Sequence, residues 1–320
     1  MKSVVYRKAK TFVRELNESG LVPALKLAFG FFRFLYYRTY PFYRRFVLRT
    51  VQGSKMYLDM EDAGVSQTLI KRGIREGLHT FLIKKELKPG DCVLDIGANI
   101  GYYALIEASI VGAEGKVYAI EPETSNFSLL LRNIKVNNFS GIIDAFNIAA
   151  SDKNGFSKFY ITKASNSHTM LPGSVHKIVR HATVRTTKID SFLEGKRKVD
   201  LIRMDIEGYE CEVIDGAMKT LESADYPLKL IIEIHPPYYN KKNNFGSRLE
   251  NLFKAGFRIK YLVSLDEPKA RKIRDLGYSP SRVMRADGFF RGVYENVSEL
   301  DAVKLVCHVP QEVRYVFLEK

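Results

Sequence analysis

The sequence predicts an α/β fold in which a mostly parallel sheet carries helices on both faces. Three observations lead to this fold class. Short runs rich in Val, Ile and Leu alternate along the chain with segments whose apolar residues recur at helical spacing. The short runs are apolar at nearly every position, which is typical of strands covered on both faces. Glycine, proline or polar breaks separate the two kinds of segment, and we expect right-handed crossovers between the parallel strands.

Length and composition fit one large domain with a sizeable appendage. The chain has 320 residues, of which 46% are hydrophobic and 27% are charged, so it can bury a full core. This composition excludes wholesale disorder, collagen-like repeats and coiled coil. The three cysteines are widely spaced and form no CxxC pair, which indicates reduced structural thiols, a cytoplasmic location and no zinc framework.

The first 50 residues are far more basic than the rest of the chain, and they are rich in aromatic residues. They hold eleven Lys and Arg against two Glu, so +9 of the net charge of +14 lies there and the remaining body is only mildly basic. Lys26, Arg33 and Arg38 keep each apolar stretch well below the roughly 18 residues of a transmembrane helix, and no secretory leader is recognisable. A basic, aromatic helix suits the surface of an anionic membrane, here the inner face, and it equally suits a cap docked on the main domain.

We therefore divide the chain into two parts. Residues 1–52 are predicted to form the basic, aromatic helical segment, and residues 53–320 are predicted to form the main domain. Within the main domain, residues 156–190 alternate in short β-like pieces around a polar loop, so they are predicted to be an inserted β-rich segment. The polar loop contains His168, which is expected to be solvated.

The strand and helix units are clearest in the first half of the main domain. Lys88-Pro-Gly-Asp91 ends one helix, Gly112 ends the next, and Pro122 opens a third. After residue 240 the periodic signal weakens. The predicted helices cover residues 78–83, 102–111, 127–134, 211–221 and 249–254, and the predicted strands cover residues 92–96, 116–121, 142–150, 199–205, 228–234, 257–263 and 313–318, with a further strand near residue 289.

Carboxylates recur where these strands end. In an open parallel sheet, ligands bind outside the carboxyl ends of the strands, close to the point where the strand order reverses. Five acids at the ends of four strands are too many for a structural accident, so we predict that they line one site. They are Asp95, Glu121, Asp205, Glu207 and Glu233.

The loop Asp95-Ile-Gly-Ala-Asn-Ile-Gly101 follows the first of these strands. A dinucleotide-binding loop has the spacing GxGxxG, but here Asn99 takes the middle position and Asp95 would repel a phosphate. The loop therefore favours a cofactor without phosphates and with a cationic end, and it disfavours a nicotinamide dehydrogenase. Glu121 follows about 20 residues later, at the spacing of an acid that accepts hydrogen bonds from both ribose hydroxyls. A generic tight turn and a surface glutamate are the alternatives.

Five short motifs between residues 53 and 240 point to one family. They are Gly53-Ser-Lys-Met56, Asp95-Ile-Gly-Ala-Asn-Ile-Gly-Tyr-Tyr103, Glu121-Pro122, Thr187-Lys-Ile-Asp190 and Met204-Asp-Ile-Glu-Gly-Tyr-Glu210. Together they resemble the FkbM-type family of S-adenosylmethionine-dependent methyltransferases. The resemblance implies a Rossmann-like class I methyltransferase fold, with a seven-stranded, mostly parallel sheet and one antiparallel edge strand. It also implies O-methylation of a hydroxyl on a sugar, glycan, lipid-linked or natural-product acceptor.

The same resemblance implies which residues bind the cofactor, S-adenosylmethionine. Arg203 departs from the family, which often has Lys two residues before the aspartate, and this departure leaves the cofactor site intact but affects substrate contacts. Glu76 is either a cofactor contact or an exposed helical glutamate. The predicted cofactor residues are Asp95, Gly97, Asn99 and Gly101 for the methionine part, Glu121 for the ribose, Ser151 and Asp152 for the adenine, and Glu76 for the methionine amino group.

Methyl transfer from a sulfonium needs an aligned acceptor oxygen and a group that removes its proton. Asp205 or Glu207 is the predicted base, followed by Glu233 and His235 at the end of the next strand. Alternatively, Asp205 caps a helix and Glu207 interacts with the helix dipole. The four side chains could also converge on Mg²⁺ or Mn²⁺, but their spacing does not demand a metal and none is predicted.

Two other functions are open at this stage. A nucleic-acid methyltransferase would suit the net charge and His235-Pro-Pro-Tyr238, because amino-methyltransferases use Asp or Asn before Pro-Pro-Tyr and stack the ring on a flipped base. Here the motif begins with His and follows the fifth strand, and the basic charge lies in the first 50 residues, so nucleic acid is not the expected partner. A rigid turn is the simpler interpretation. A cofactor-binding protein without catalysis is the second alternative.

Overall fold

The structure, a computed structural model, describes residues 11–13, 16–17, 21–39, 45–172, 176–241, 243–307 and 312–320. Its longer helices are α1 (Leu21–Thr39), α2 (Val65–Arg72), α3 (Gly77–Glu86), α4 (Tyr102–Val111), α5 (Thr124–Val136), α6 (Ile189–Leu193), α7 (Glu210–Asp215), α8 (Met218–Ser223), α9 (Phe245–Lys254), α10 (Arg271–Asp275) and α11 (Glu299–Cys307). Its strands are β1 (Phe46–Val51), β2 (Ser54–Asp59), β3 (Cys92–Ile96), β4 (Lys116–Ile120), β5 (Ile143–Phe146), β6 (Ala149–Ala150), β7 (Gly155–Thr162), β8 (Ile178–Thr187), β9 (Leu201–Met204), β10 (Lys229–Glu233), β11 (Arg258–Ser264), β12 (Arg282–Ala286), β13 (Phe289–Tyr294) and β14 (Val313–Glu319).

A mixed, mostly parallel sheet forms the centre of the main domain. Among the described residues it has nine strands, in the order β12-β13-β11-β14-β10-β9-β3-β4-β5. The strands β5, β4, β3, β9 and β10 are parallel neighbours, whereas β14 runs antiparallel to both β10 and β11. The strand order reverses between β3 and β9, so a binding site is expected at the carboxyl ends of these two strands.

The predicted fold class is confirmed, but two details of the predicted sheet are wrong. The described sheet has nine strands rather than seven, and its antiparallel strand β14 lies inside the sheet rather than at the edge. The edge of the sheet opposite β5 is formed by the β12–β13 hairpin. No apolar run marks β12 in the sequence, because most of its residues are exposed or half-buried and two of them are arginines.

The most deeply buried elements agree best with the sequence patterns. β3 and α4 begin and end at the predicted residues, and every residue of β3 is buried. The predicted third strand is divided, because β5 ends at Phe146 and β6 leaves the main sheet to pair with β8. The predicted helix over residues 211–221 is divided into α7 and α8 at Gly216, where a Cβ would lie 2.0 Å from the carbonyl oxygen of Ser151.

The segment predicted as an insertion forms a separate three-stranded sheet in the order β6-β8-β7. β7 and β8 make a long antiparallel pair. β6 runs parallel to the end of β8, with Ala149 opposite Thr186 and Ala150 opposite Thr187. Phe159 and Met170 of this segment line a cavity at the carboxyl edge of the main sheet, so the segment forms one wall of the site.

The basic region at the amino terminus contains a helix and the first strand of a hairpin. α1 packs on α2 so closely that a Cβ on Gly30 would lie 1.9 Å from the carbonyl oxygen of Lys71. β1 pairs antiparallel with β2, so the boundary predicted between residues 52 and 53 falls in their turn, and residues 46–51 form a strand rather than a helix. Within the described ranges, no helix combines the length and apolar character that a membrane crossing needs.

Candidate active site

In the described part of the chain, three cavities adjoin at the carboxyl edge of the sheet. Asn166 of the inserted segment lines all three of them. Glu207 lines the first two and Arg314 the last two, so the cavities form one continuous cleft. They are the glycine-loop cavity, lined by Gly97, Asn99, Glu121 and Tyr209 among others; the His235 cavity, lined by Glu207, His235, Pro236 and Tyr238; and the arginine cavity, lined by Arg72, Arg75, Arg291 and Arg314.

The glycine loop after β3 is held in shape by close backbone contacts. Gly97 has a φ of +85°, and a Cβ there would lie 2.1 Å from the carbonyl oxygen of Asp205, so only glycine fits this position. The backbone N–H of Asn99 donates to Oε2 of Glu121 at 2.8 Å, and its side-chain amide donates to the carbonyl oxygen of Ser165 at 2.8 Å. The loop is therefore tied to β4 on one side and to the inserted segment on the other.

Glu121 lies directly after β4 and is almost fully buried. Its Oε1 accepts a hydrogen bond from the backbone N–H of Glu123 at 2.8 Å, and its Oε2 accepts the one from Asn99. Burial raises the pKa of Glu121 to about 8. Because each carboxylate oxygen has a second lone pair, Glu121 can accept two more hydrogen bonds from hydroxyls in the cavity that it lines.

Asp95 lies beneath the glycine loop and faces Arg203. Nη1 of Arg203 donates to Oδ1 of Asp95 at 2.8 Å, and Nη2 donates to Oδ2 of Asp205 at 3.1 Å. The guanidinium also lies 3.9 Å from the ring centroid of Tyr103. Asp95 is fully buried and does not line the glycine-loop cavity, and burial raises its pKa. The planar fork of Arg203 thus joins two acids that a lysine could not bridge in the same geometry.

Three further predicted cofactor residues surround the glycine-loop cavity without lining it. Gly101 caps the start of α4. Ser151 is buried, and its hydroxyl lies 3.2 Å from the hydroxyl of Tyr209 and donates to Oδ1 of the exposed Asp152 at 3.0 Å. Ala150 and Tyr209 do line the cavity, so Ser151 contacts the wall from behind.

Glu76 is 5% exposed, which excludes the alternative that it is an exposed helical glutamate. It precedes α3 with a left-handed φ of 49°. Its carboxylate accepts a hydrogen bond from the hydroxyl of Tyr103 at 2.8 Å and pairs with Arg75 at 2.6 Å. Burial alone would raise the pKa of Glu76, but Arg75 and His79 hold it below its usual range. Glu76 lines the arginine cavity, and Arg75 lines that cavity and the glycine-loop cavity.

The four predicted catalytic side chains lie together at the ends of β9 and β10. Nε2 of His235 lies 3.6 Å from Oε2 of Glu207, 3.6 Å from Oε1 of Glu233 and 3.9 Å from Oδ1 of Asp205. Nδ1 of His235 lies 2.8 Å from Oε1 of Glu210, which fixes the ring. Among these four residues, Glu207 alone lines both the glycine-loop cavity and the His235 cavity.

These groups differ in protonation near neutral pH. Burial alone lowers the pKa of His235, but the carboxylates of Glu210 and Glu207 outweigh burial and raise that pKa to about 10. The raised pKa favours the protonated imidazole, which is suited to donating hydrogen bonds to the carboxylates around it. Burial raises the pKa of Glu233 to about 8 and that of Glu207 to about 7. Glu207 thus has a pKa suited to accepting a proton near neutral pH.

Asp205, Glu233 and His235 are the group, within the described ranges, that could hold a divalent ion. Their donor atoms all lie within 4.8 Å of one another, and oxygen and imidazole ligands suit Mg²⁺ or Mn²⁺. Two guanidinium groups already pair with the same carboxylates, Arg203 with Asp205 and Arg314 with Glu233. Because these arginines supply the positive charge that a metal would bring, we assign no metal to the site.

Several residues of the cleft escape the sequence patterns. Glu210 belongs to a recognised motif, but its partner His235 comes from the next strand, so the motif does not reveal the contact. Arg75 and Arg314 stand in no motif. His168 is a correction: it is largely buried rather than solvated, accepts a hydrogen bond from the backbone N–H of Thr162 at 3.2 Å, and lines the glycine-loop cavity. Burial lowers the pKa of His168.

His235-Pro-Pro-Tyr238 forms a turn that leaves the sheet. Pro236–Tyr238 is a short 3₁₀ helix, and the backbone N–H of Tyr238 donates to the carbonyl oxygen of His235 at 3.0 Å. The Tyr238 ring packs on Gly208, where a Cβ would lie 2.4 Å from it. A ring packed in this way is buried in the turn, whereas a ring that stacks on a flipped base has to present a face to it.

Comparison with known proteins agrees with these motifs. The family model for the methyltransferase FkbM domain matches residues 95–259, just over half of the chain. The chain is 27% identical over 158 residues to the hexuronic acid methyltransferase AglP of Haloferax volcanii, covering 48% of this chain and 60% of that protein. It is 23% identical over 205 residues to the 2-O-methyltransferase NoeI of Sinorhizobium fredii, covering 52% of this chain and 82% of that protein.

A similar solved structure is that of a methyltransferase FkbM from Methylobacillus flagellatus KT. It is 17% identical, with a TM-score of 0.41, and the match covers 72% of this chain and 54% of that chain. The chain therefore spans less than two thirds of the length of both this protein and AglP.

Proposed function

Because the chain belongs to the FkbM family of S-adenosylmethionine-dependent methyltransferases, we propose that it transfers the methyl group of S-adenosylmethionine to a hydroxyl of a sugar, glycan, lipid-linked or natural-product acceptor. The observation that carries the proposal is the position of Glu207, whose side chain lines both the glycine-loop cavity and the His235 cavity. A carboxylate at that junction can meet a methyl donor held in one cavity and a hydroxyl held in the other.

The glycine-loop cavity is the proposed cofactor site. When bound, S-adenosylmethionine supplies an electrophilic methyl group on a positively charged sulfur. Gly97 and Asn99 hold the methionine part, with Asp95 and Gly101 supporting the loop from behind. Glu121 accepts hydrogen bonds from the ribose hydroxyls, for which its oxygens have lone pairs left. The adenine lies on the side of the cavity that is backed by Ser151 and Asp152, and Glu76 acts through Arg75 at the methionine end.

Glu207 is the proposed general base. It takes the proton of the acceptor hydroxyl while the hydroxyl oxygen bonds to the methyl carbon and the carbon–sulfur bond breaks, leaving S-adenosylhomocysteine and a protonated Glu207. His235 keeps a positive charge 3.6 Å from the Glu207 carboxylate and so favours its ionised form before the transfer. Asp205 and Glu233 position His235 and the two arginines.

The relatives favour a sugar acceptor within this broad class. One is named a hexuronic acid methyltransferase and the other a 2-O-methyltransferase. The matched region, residues 95–259, includes the glycine loop and Glu207.

Calorimetry and a transfer assay test this function. Purified protein titrated with S-adenosylmethionine and with S-adenosylhomocysteine should bind both in equimolar amounts. Tritiated methyl groups should then pass from the cofactor to cell extract separated into lipid, glycan and nucleic-acid fractions, with label in the glycan or lipid fraction. Label confined to nucleic acid would favour the alternative methyltransferase class. Binding of neither compound would overturn the proposal.

We also propose that α1 contacts the cytoplasmic face of a membrane, which would bring the enzyme to a lipid-linked acceptor. Val22, Leu25, Phe29 and Phe32 recur at helical spacing on α1 and are between 51% and 71% exposed. The basic residues of the first 50 positions complement anionic lipid. Such a stripe of exposed apolar residues is typical of a helix that lies in the membrane interface.

Vesicle flotation tests the membrane contact. Wild-type protein should float with vesicles that contain phosphatidylglycerol and less with phosphatidylcholine alone. Phe29→Ser with Phe32→Ser should lower the bound fraction about tenfold, because two apolar rings no longer enter the interface. The matched control is Phe156→Ser, a phenylalanine of β7 that is 73% exposed, and it should float as the wild type does. Equal flotation of both variants would contradict the contact.

A further inference from the structure

The arginine cavity carries an excess of positive charge beside the proposed reaction centre. Nη1 of Arg72 lies 3.5 Å from Oδ1 of Asp287, and Nη2 of Arg75 lies 2.6 Å from Oε1 of Glu76. The two carboxylates of the lining therefore already pair with these two arginines. Arg291 and Arg314, two further cations of the lining, form no ion pair with either of these carboxylates. The charged residues that line the cavity are Lys71, Arg72, Arg75, Arg291 and Arg314 against Glu76 and Asp287.

Arg291 is a buried guanidinium that faces the cavity without a carboxylate partner in the described part of the chain. It is 6% exposed, and its Nη1 donates to the carbonyl oxygen of Leu265 at 2.7 Å. Its Nε is buried and has no hydrogen-bond partner among the described residues. Burying a charge without an ionic partner is unfavourable, so an anion in the cavity would stabilise this guanidinium.

Arg314 connects this cavity to the reaction centre. It lines both the arginine cavity and the His235 cavity, and its guanidinium pairs with Glu233. Its Nε is also buried, and no described residue forms a hydrogen bond with it. An anion held between Arg291 and Arg314 would therefore lie next to the cavity in which Glu207 meets the acceptor.

The wall of the arginine cavity is formed in advance by a strained turn. Asp287, between β12 and β13, has a left-handed φ of 54°, and its Oδ2 accepts a hydrogen bond from the backbone N–H of Glu76 at 2.8 Å. Glu76 itself has a φ of 49°. Non-glycine residues in this conformation cost free energy and concentrate at binding sites. The two residues join the edge hairpin to the start of α3 and keep the cations in place.

We propose that the arginine cavity binds an anionic group of the acceptor, a phosphate, a diphosphate or a carboxylate, and thereby sets the acceptor hydroxyl against Glu207. Guanidinium groups bind such oxyanions through paired, charge-assisted hydrogen bonds. This inference rests on the proposed function, and it narrows the acceptor to a sugar or lipid-linked sugar that carries a negative charge near the methylated hydroxyl. The carboxylate of the cofactor is a competing occupant, because Arg75 also lines the glycine-loop cavity.

The experiment uses simple anions on the full-length protein. Protein saturated with S-adenosylhomocysteine is titrated at low ionic strength with sodium pyrophosphate, sodium glucuronate and neutral glucose. The same titrations are made on Arg291→Gln, which removes the buried guanidinium proposed to hold the anion. They are also made on the double variant Lys71→Gln with Arg72→Gln, which lowers the positive charge of the cavity at side chains that are less buried. The matched control is Lys198→Gln, a lysine whose side chain is 74% exposed and which lies outside the cleft. Thermal unfolding shows that each variant is folded.

We expect pyrophosphate or glucuronate to bind to the wild type and the control, and glucose not to bind. Arg291→Gln should bind the anion about tenfold more weakly, the loss expected when a charge-assisted hydrogen bond is removed, and the double variant should also bind it more weakly because the cavity is less positive. The affinity of both variants for S-adenosylhomocysteine should stay unchanged. Stronger binding of pyrophosphate indicates a phosphate-bearing acceptor, and stronger binding of glucuronate indicates a uronic acid.

Two results would overturn this inference. The first is that neither anion binds, or that Arg291→Gln binds the anion as tightly as the control. The second is that the anion competes with S-adenosylhomocysteine and the double variant loses affinity for it, since the cavity would then belong to the cofactor. If S-adenosylhomocysteine itself does not bind, the proposed function fails, whereas titration of the ligand-free protein still reports on the arginine cavity.

Discussion

The two sides of the cleft are built in different ways. On the side of the glycine loop, shape comes from backbone amides and from the absence of a side chain at Gly97. On the side of β9 and β10, the carboxylates of Asp205, Glu207 and Glu233 each lie within 4 Å of Nε2 of His235. We therefore expect added side-chain bulk to impair binding mainly on the side of the glycine loop, and a change of charge to impair the reaction mainly on the side of β9 and β10.

Removal of the Glu207 charge should have the largest effect on the reaction. Glu207→Gln keeps the size of the side chain but cannot accept the hydroxyl proton, so we expect kcat to fall by about 10² to 10⁴. Affinity for S-adenosylhomocysteine, measured by calorimetry, should stay the same, because the cofactor side depends on shape. Asp225→Asn, at an aspartate whose side chain is 84% exposed, is the control. A Glu207→Gln enzyme with near wild-type kcat would move the base to another residue.

Added bulk at Gly97 should have the next largest effect, now on the cofactor side. In Gly97→Ala the new Cβ meets the Asp205 carbonyl and the residue stays at a positive φ, so we expect the free energy of unfolding to fall by about 1 to 3 kcal/mol. Affinity for S-adenosylhomocysteine should fall with it. Gly141→Ala is the matched control, because a Cβ there meets nothing within 4 Å. If both variants bind equally well, the backbone does not shape this side.

The pH dependence of the reaction should report the charge balance around His235. Glu207, with a pKa of about 7, must lose its proton before it can act as a base, so kcat/KM should rise as the pH increases through 7. His235, with a pKa of about 10, stays protonated over this range and adds no second step. Rates measured from pH 5.5 to 9 test this expectation. A profile that falls above pH 7 would mean that a protonated group acts instead.

A chelator should have the smallest effect. Arg203 and Arg314 already pair with the carboxylates that could bind a divalent ion, so EDTA should change the methyl-transfer rate by no more than about twofold. The rate is compared before and after dialysis against EDTA, with Mg²⁺ and Mn²⁺ added back. Loss of activity that either ion restores would show that the acidic side also works through a metal.

Sequence patterns predicted the buried half of the fold better than its edges. β3 and α4 match the prediction at both ends because nearly all of their residues are covered, which gives an uninterrupted apolar signal. The family, the fold class and the cofactor are likewise confirmed. β12 and α11 were beyond these patterns, because β12 is mostly open to solvent and α11 lies where the periodic signal weakens.

The site was predictable in its location but not in its contacts. The acids at the strand ends do meet at one edge, as the direction of parallel strands requires. That Asp95 faces Arg203 depends on the register of β3 against β9, in which these two residues are direct partners. The pattern of residues within one strand does not reveal how that strand is aligned with its neighbour. For the same reason, only the three-dimensional structure shows the hydrogen bond between Glu210 and His235 and the burial of His168.

The parallel pairing of β6 with the end of β8 brings the two ends of the small sheet together. Ala149 and Ala150 carry the chain out beside Thr186 and Thr187, which carry it back, so both ends of the excursion share one hydrogen-bonded seam. The segment between them also contacts both sides of the cleft, because Ser165 accepts a hydrogen bond from the Asn99 side chain and Thr169 donates one to the carbonyl oxygen of Glu207. A change in the length of this segment would therefore alter the cofactor loop and the proposed base together.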